Sequence, residues 1–349
     1  MAYGNPGGQD TYVPLIELSG NLMIEYARNL HHTSLAINRA CRVTPVKNTY
    51  GTYLRFNPLD LARNVNIPYD PNWAPGTMRP TGFENNLQFE TRTFRTDRKN
   101  HGKTLDKMGV DLANWPIMKA HTEALAQDAM TYRAIKVYNK MFSASEYDAT
   151  HVFSATTASG TGFLSGGTTA DPRIKNALDY AARIIMRDSM GKVQFGGLSV
   201  LMNHNTALRL SSSRELREYL MQQAGSFEQI KLEKGRSLND AFGLPDRLYG
   251  YNVIVDSLFY SPNNKGATGI SGTPVIEDNS ILVCLADGPQ EVPEGAPSYN
   301  TCHVFTYEEM TVETLEDTRN RLVYLDIVNN FVPEIVAPVT ACKITNIFS

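Results

Sequence analysis

Apolar and polar positions alternate in two parts of the first hundred residues, and this period of two predicts β-strands over Thr49–Phe56 and Leu87–Thr96. The segment between them, Asn57–Leu87, shows neither a strand period nor a helix period and contains no lysine. It holds Pro58, Pro68, Pro71, Pro75, Pro80, Gly76 and Gly82. Such a long segment inside a compact domain is either disordered or built to contact something outside the fold. We predict a projecting hairpin arm with a proline-stiffened tip.

A helical period follows the arm and predicts one long helix over Pro116–Phe142. Asn114 is placed to cap its N-terminus, and a proline is compatible with the first turn of a helix. At a rise of about 1.5 Å per residue, the helix would be about 40 Å long. Its recurring face carries Met118, Thr122, Leu125, Ala129 and Tyr132. We predict that this helix is a structural spine.

Helical and strand patterns alternate between about residues 172 and 300, which is typical of an α/β lobe. Asp171 and Pro172 open a predicted helix whose buried face is Ile174, Leu178, Ala181 and Ile185. Asn203 is predicted to cap a further helix that carries Leu208, Leu216 and Leu220. The predicted strands of this region are Leu198–Met202, Tyr249–Val255 and Ser280–Ala286.

Strand patterns dominate the last fifty residues. The predicted strands are Thr311–Glu316, Arg319–Asn329 and Ile335–Ile344, and we expect the last two to pair back onto the region of the spine helix. At the other end of the chain, Leu15, Leu18, Leu22, Tyr26 and Leu30 follow a helical spacing. The N-terminal segment is therefore either an arm that docks on a neighbouring molecule or a helix that packs on its own body.

Composition places the chain among ordinary globular proteins. Its 349 residues exceed what one hydrophobic core normally fills, so we expect two lobes. The net charge of −3 and the pI of about 6.2 argue against extensive phosphate binding. The sequence shows no signal peptide and no apolar run long enough to span a membrane. The four scattered cysteines are expected to be buried free thiols of a protein made in a cytoplasm.

Motifs that carry catalysis are not found in the sequence. His101–Thr104 resembles the end of a phosphate-binding loop, but Asp97 stands where that loop needs glycine. Gly160 and Gly162 are followed by Ser165 instead of the third glycine of a dinucleotide fingerprint. The adjacent pair His31–His32 would point in different directions from a helix. We therefore predict no catalytic, cofactor-binding or metal-binding residues, and no enzymatic activity.

Charge is nearly balanced in the arm. Between residues 57 and 99 the basic residues are Arg63, Arg79, Arg92, Arg95, Arg98 and Lys99, and the acidic ones are Asp60, Asp70, Glu84, Glu90 and Asp97. This balance favours ion pairing with a copy of the same protein, although a purely solvated pattern remains an alternative. Tyr69 and Trp73 are interpreted as aromatic anchors of a protein contact in preference to a base-stacking platform. The candidate intersubunit contacts are Arg63, Tyr69, Asp70, Trp73, Arg79, Glu84, Arg92 and Arg95.

In the order of its parts, nearly the whole chain resembles the major capsid protein of tailed bacteriophages, which has the α+β HK97-like fold. The most specific local likenesses are Tyr53–Phe56 leading to Ala74–Thr77, Leu201–Leu210 and Leu248–Val255. The resemblance implies five parts. They are an N-terminal arm at 1–48, an extended hairpin arm (the E-loop) at 49–110, a peripheral domain with the spine helix at 111–172, an α/β axial domain at 173–300, and a return to the peripheral domain at 301–349.

The resemblance also implies a function. The chain would assemble into pentamers and hexamers of an icosahedral phage head that encloses double-stranded DNA, in a virion assembled in the host cytoplasm. Implied partners are its own copies, a separate scaffolding protein, a portal, a possible cement or decoration protein, and packaged DNA through weak non-specific contacts, with no membrane. Some members cross-link subunits through an arm lysine. No lysine lies between Lys47 and Lys99, so we expect a non-covalent shell.

Three other functions remain alternatives. An encapsulin-like compartment shell would share the fold and enclose a cargo enzyme. A soluble two-lobed enzyme with an α/β domain would need a convergent polar pocket, which the sequence does not display. A tail tube subunit fits the long spine helix and the α/β lobe poorly.

Overall fold

The computed structural model describes residues 33–55, 75, 90–112, 117–155, 174–213, 215–216, 238–239, 244–261, 272–286 and 299–347. Several predictions lie outside these residues. They are the N-terminal helical pattern at 15–30, the arm tip apart from Pro75, the caps Asn114, Asp171 and Pro172, and the helical position of Leu220.

Five α-helices lie in the described residues. They are α1 (Thr33–Ala40), α2 (Lys107–Leu112), α3 (Ile117–Met141), α4 (Ile174–Asp188) and α5 (His204–Ser211). Short 3-10 turns cover Ala144–Glu146, Ala149–His151, Phe195–Gly197 and Pro338–Thr340.

Sixteen strands complete the described secondary structure. They are β1 (Arg42–Pro45), β2 (Tyr50–Arg55), β3 (Glu90–Arg95), β4 (Asp97–Asp106), β5 (Val152–Ser154), β6 (Ser199–Asn203), β7 (Leu238–Asn239), β8 (Leu244–Pro245), β9 (Arg247–Leu248), β10 (Tyr251–Asp256), β11 (Phe259–Tyr260), β12 (Thr273–Pro274), β13 (Ser280–Cys284), β14 (Cys302–Asp317), β15 (Leu322–Ile335) and β16 (Ala341–Thr345). Three pairs, β2–β3, β7–β8 and β11–β12, form two-stranded ribbons.

The predicted spine helix is confirmed as α3, which has 25 residues. Met118, Thr122, Leu125 and Ala129 are buried as the period predicts, whereas Tyr132 is only partly buried. The buried stripe turns instead through Ala126, Met130, Ala134, Val137, Tyr138 and Met141. The stripe is continuous and rotates around the helix because the two ends of α3 pack against different sheets.

A four-stranded sheet carries the first half of α3, with strand order β1–β14–β15–β4. β14 and β15 form one long antiparallel hairpin that contains the predicted strands at 311–316 and 319–329 and extends beyond them. The edge strand β4 pairs antiparallel with β15 over ten residues, and the period of its side chains did not predict it. On the face toward α3, Val323, Leu325 and Ile327 are fully buried. The expected packing of a late strand against the spine is therefore confirmed for β15.

A six-stranded sheet of order β5–β16–β13–β6–β10–β9 forms the second layer. β6, β10 and β13 confirm the strands predicted at 198–202, 249–255 and 280–286, with shifted ends. β6 and β10 are parallel, as an α/β lobe requires, but β13 runs antiparallel to β6. β16 pairs with β13 and β5, so its strand partners belong to the six-stranded sheet. Its Ala341 still packs in one cluster with Val137 and Tyr138, so the expected return of 335–344 to the region of the spine helix holds for this contact.

The helices of this lobe follow their sequence signals in α4 and at the start of α5. In α4, the predicted face of Ile174, Leu178, Ala181 and Ile185 is fully buried. Asn203 caps α5 as predicted, since its side-chain oxygen accepts a hydrogen bond of 2.7 Å from the backbone N–H of Thr206. The helix ends at Ser211, however, so the buried Leu216 lies beyond it, and Leu208 is exposed.

Two hydrophobic cores meet along α3. The first half of the helix packs on the four-stranded sheet. The second half, with α1, packs on one face of the six-stranded sheet and also against Val304, Phe331 and Ile335 of β14 and β15. At this second contact the hydroxyl of Tyr138 donates a 2.5 Å hydrogen bond to the carboxylate of Asp256 in β10. Both side chains are buried, and burial, with Asp256 nearby, raises the pKa of Tyr138 well above its ordinary value. This bond ties the spine helix to the six-stranded sheet.

Tyr138→Phe tests that tie. Removing the hydroxyl leaves the buried carboxylate of Asp256 without one of its donors, so we expect a loss of about 1–3 kcal/mol in the free energy of unfolding, measured by urea denaturation. Tyr180→Phe is the control, because the Tyr180 side chain is 41% exposed. Equal losses of stability in the two variants would contradict a stabilising role for the Tyr138–Asp256 hydrogen bond.

Candidate assembly interface at the base of the arm

The strands β2 and β3 form the base of the predicted arm as an antiparallel ribbon. In their register Gly51 lies opposite Phe94, Tyr53 opposite Arg92, and Arg55 opposite Glu90. Because side chains alternate across a strand, these three pairs share one face of the ribbon. The pairs Tyr50–Arg95, Thr52–Thr93 and Leu54–Thr91 share the other. We call the face with Gly51, Tyr53 and Phe94 the body face, because Phe94 is buried. We call the opposite face the outward face, because most of its residues are exposed.

The body face is held by aromatic packing. The ring of Phe94 stacks on Phe305 of β14 at a centroid distance of 4.4 Å and an interplanar angle of 11°. The ring of Tyr53 lies 5.4 Å from the same Phe305. Gly51 makes room for the stack, because a Cβ at this position would lie 2.7 Å from two carbon atoms of the Phe94 ring. The arm is thus anchored where a residue without a side chain faces an aromatic one.

A charged group continues the body face toward the tip. Glu90 accepts hydrogen bonds from Arg92 at 2.9 Å and from Arg55 at 3.2 Å. Although partial burial acts to raise the pKa of Glu90, the two arginines lower it below its ordinary value. Arg55 also donates to the backbone carbonyl of Glu146 at 3.4 Å, which joins the ribbon to the turn after α3.

A second ion group lies between the ribbon and the body. Lys140, in the last turn of α3, pairs with Glu146 at 3.0 Å and with Glu334 of β15 at 3.3 Å. Partial burial opposes the charge of Lys140, but the two carboxylates raise its pKa overall. The hydroxyl of Tyr53 lies 3.5 Å from Glu334, and burial followed by the Glu334 charge raises the pKa of Tyr53 to about 12. The direction of the ribbon is therefore set by contacts to α3, β14 and β15.

The outward face presents a different chemistry. Tyr50 is 61% exposed, Arg95 is exposed beside it, and three of the other four residues, Thr52, Thr91 and Thr93, are exposed threonines. Tyrosine and arginine are the residue types enriched among the energetically important positions of protein interfaces. Tyr50 and Arg95 are therefore the candidate contact residues of this face.

The predicted contact residues fall into three groups by their position in the structure. Arg92 lies on the body face and pairs within its own chain, whereas Arg95 lies on the outward face. Arg63, Tyr69, Asp70, Trp73, Arg79 and Glu84 lie outside the described residues. Gly51 and Tyr50 were not predicted, and Glu90 was predicted only as one of the acidic residues of the arm. The register of β2 on β3 is the signal that could have found their roles. Two other charges of this region pair within the chain, Lys99 with Asp97 and Arg98 with Glu313.

One arrangement of cysteine, histidine and aspartate lies elsewhere in the described chain. His151 lies 2.9 Å from Asp188 through Nε2, and its Nδ1 lies 2.7 Å from the carbonyl of Ala341 and 3.4 Å from the thiol of Cys342. Burial, with Asp188 nearby, raises the pKa of Cys342 far above its ordinary value, so the thiol stays protonated. These contacts join α4 to β16 and suit a structural role better than nucleophilic catalysis.

The described residues contain no group of three histidine, cysteine, aspartate or glutamate side chains placed to hold a metal ion. No helix among them is both long and apolar enough to cross a membrane. The four cysteines are free and buried, as predicted.

Comparison with known proteins shows the fold. The sequence matches no protein-family model and no curated protein sequence. The structure is similar to a phage-related protein of Bordetella bronchiseptica RB50, with a TM-score of 0.58, 13% identity, and coverage of 94% of this chain and 97% of that one. It is also similar to the mature capsid of bacteriophage PhiM1, with a TM-score of 0.52, 12% identity, and coverage of 88% and 86%.

A third similar structure is a virus-like particle from Pyrococcus furiosus, with a TM-score of 0.51, 11% identity, and coverage of 95% of this chain and 100% of that one. The likenesses run along nearly the whole of each chain. The chain therefore has the α+β, HK97-like capsid fold that its sequence resembles.

Gly51→Ala tests the aromatic anchor. The added Cβ would overlap the Phe94 ring, so the ring must leave its stack on Phe305, and we expect unfolding to become easier by about 1–3 kcal/mol. Chemical denaturation measures the loss, and near-ultraviolet circular dichroism reports the aromatic change. Gly196→Ala is the matched control, because no atom lies within 4 Å of a Cβ built there. An equally small effect at both glycines would refute the anchor.

The Glu90 carboxyl gives a pH prediction. Because its pKa is lowered on folding, its ion pairs contribute stability above its ordinary pKa of 4.5, and this contribution is lost as the pH falls through the lower folded value. NMR titration of the folded protein should find Glu90 titrating below 4.5, and Arg92→Gln should move the pKa upward. An unchanged pKa of Glu90 in the variant would show that Arg92 does not lower it, which would contradict the ion pair.

Proposed function

We propose that this chain is the major capsid protein of a phage, a subunit that assembles into pentamers and hexamers of an icosahedral head around double-stranded DNA. The observation that carries the proposal is the likeness in fold to the mature capsid of bacteriophage PhiM1 along 88% of this chain. The five-part division at 1–48, 49–110, 111–172, 173–300 and 301–349 belongs to the same proposal, with three exceptions. β5 and β16 are built into the six-stranded sheet, and β4, which the division assigns to the arm, is an edge strand of the four-stranded sheet.

Repeated contacts between copies explain how such a subunit builds a shell. A heterologous contact whose rotation closes generates a ring, and pentamers and hexamers are rings of this kind. In our proposal the outward face of the ribbon rests on a neighbouring copy, with Tyr50 and Arg95 as its central contacts. The ribbon is supported for this role by its anchors on Phe305 and Glu334, which hold it in one direction. Each contact is modest, and many contacts acting together make the closed shell stable.

The shell is proposed to be non-covalent, since the arm has no lysine between Lys47 and Lys99 to form a cross-link. Its proposed partners are a separate scaffolding protein, a portal and a cement or decoration protein. The net charge of −3 is compatible with only weak, non-specific contact with packaged DNA. A structural role without catalysis is supported by the buried, protonated Cys342 beside His151. The proposed location is the virion, after assembly in the host cytoplasm.

A compartment shell that encloses protein is the second candidate. It is supported by the likeness to the virus-like particle from Pyrococcus furiosus, which covers 95% of this chain. Both candidates predict closed particles, and their contents separate them.

Electron microscopy of the expressed full-length chain, alone and together with neighbouring genes, tests the proposal. We expect closed shells or rings of five and six subunits. Nucleic acid inside purified particles supports the phage head, whereas a single enclosed protein supports the compartment. A chain that stays monomeric or dimeric under every condition, as measured by light scattering, contradicts both candidates.

The double substitution Tyr50→Ala and Arg95→Glu tests the outward face. Both side chains are exposed, so we expect the subunit to stay folded, with its free energy of unfolding changed by less than about 1 kcal/mol. Assembly into particles should fall at least about tenfold, because central aromatic and arginine contacts dominate interface energies. Lys192→Glu is the control, an equal charge reversal at another exposed position. Normal assembly of the double variant would remove this face from the interface.

A further inference from the structure

Two cysteines that are 261 positions apart in the sequence come together at one edge of the four-stranded sheet. Cys41 lies between the end of α1 and the start of β1, and Cys302 is the first residue of β14. β1 and β14 are parallel, and their register begins with Arg42 opposite His303. Each cysteine immediately precedes one member of that pair, so the two cysteines stand opposite each other.

This placement satisfies the main geometric requirement of a disulfide. Neighbouring strands lie about 5 Å apart, and the Cα atoms of disulfide-bonded cysteines are usually about 4.4–6.8 Å apart. In-register residues of parallel strands also project to the same side. Both side chains enter the same hydrophobic cluster, with exposures of 2% for Cys41 and 1% for Cys302.

The two thiols are neighbours in this cluster, where the Cys41 thiol donates a hydrogen bond of 3.1 Å to the backbone carbonyl of Ile37 in α1. A hydrogen bond with Cys41, followed by burial, raises the pKa of Cys302 well above its ordinary value. Both cysteines are free thiols in this structure. Cys284 belongs to the same cluster, but it lies on β13, where its neighbours across the strands are Ala341 and Ser199. Cys342 belongs to a third cluster, with Ala181 and Ile185 of α4, and lies beside His151.

We propose that Cys41 and Cys302 are a redox site, a dithiol that forms an intrachain disulfide when the protein meets an oxidising disulfide such as oxidised glutathione. The inference goes beyond the proposed function and does not depend on assembly, since both residues belong to one chain.

The chemistry is two successive thiol–disulfide exchanges. The thiolate of Cys41 attacks one sulfur of oxidised glutathione, which forms a mixed disulfide and expels one glutathione thiolate. The thiolate of Cys302 then attacks the Cys41 sulfur and expels the second glutathione. The protein loses two electrons and two protons, and one oxidised glutathione becomes two reduced ones.

Docking of α1 controls the rate of this reaction. Exchange requires a path by which the disulfide can approach the thiolate, and a buried thiol offers no such path. Cys41 is covered by its position after α1, where Ala36, Ile37 and Ala40 pack in the same cluster as Val137 and Tyr138 of α3. Local opening of this eight-residue helix exposes Cys41 without unfolding the sheets. The reduced site is therefore inert while α1 is docked.

The disulfide would join the N-terminal helix to the long β14–β15 hairpin. It closes a loop of more than two hundred residues, and long loops give the largest entropic stabilisation of the folded state. Once closed, it keeps the end of α1 at the sheet edge even when the helix opens. A subunit made under reducing conditions would thus become more resistant to unfolding after it enters an oxidising medium.

The test uses the unassembled full-length chain, purified reduced and incubated with oxidised glutathione. We expect the intact mass to fall by about 2 Da and the peptides of Cys41 and Cys302 to be linked. The Tm should rise by roughly 5 °C, and a reductant should reverse both changes. A low urea concentration that favours local opening should speed the reaction.

Matched variants give the controls. Cys41→Ser and Cys302→Ser should each abolish the mass loss, whereas Cys342→Ser should retain it. Identification of the linked peptides in the unsubstituted chain shows which cysteines are joined, even if a variant fails to fold. A persistent glutathione adduct on Cys41, a link to Cys284, or an unchanged mass after prolonged incubation in low urea would each overturn the proposal. Because particle formation is not measured, failure here leaves the proposed shell function standing.

Discussion

The architecture depends on one packing constraint: the helix α3 must bury a single stripe of side chains against two different sheets. Leu125, Ala126 and Ala129 meet the four-stranded sheet, and Val137 and Tyr138 meet the six-stranded one. A helix of 25 residues is long enough to reach both layers. Because each half of α3 is fixed by its own core, the helix sets the position of the sheets relative to each other. The base of the arm then takes its place from the same elements, through Lys140 at the end of α3 and through β14 and β15.

Those parts of the fold that the sequence predicts are the ones whose burial is periodic along one element. The helices α3 and α4 and the strands β6, β10 and β13 have local apolar patterns, and all were predicted with the correct type. The misplacement of Tyr132 has a physical cause, since the partner of α3 changes near its middle and the buried face rotates with it. β4 was missed because its residues, DRKNHGKTLD, lack apolar alternation, and its strand form is held by backbone pairing with β15. Local patterns also do not reveal which strands pair with each other, and the pairing of β16 with β13 is an example.

At the base of the arm, sequence reasoning found the residue types but not their relations. The balance of charges suggested pairing between copies, yet Arg92, Arg98 and Lys99 have partners within the chain. Such exposed pairs contribute little to stability, but they leave these three cations with partners inside the chain. The role of Gly51 cannot be predicted from its neighbours in the sequence, because it depends on contact with Phe94. Phe94 lies 43 positions later and comes opposite Gly51 only in the folded register. Long-range register therefore decides which residues of the arm remain for an outside partner.

A buried polar residue of β15, Asn329, lies between the two cores. Its position helps to explain why the β14–β15 hairpin folds in one register. In β15 the buried apolar side chains Ile327 and Phe331 flank Asn329, which is 1% exposed and whose amide atoms find no hydrogen-bond partner within the described part of the chain. The β14–β15 register shifts twice opposite this region, between Thr306 and Glu308 and between Glu308 and Thr311. Burying an unsatisfied amide is costly, so the position is tolerated only because the surrounding packing fixes it. A slip of one residue would turn Leu325 and Ile327 away from α3 and place Asp326 against it. Alternation on β15 thus specifies the register that both α3 and the arm require.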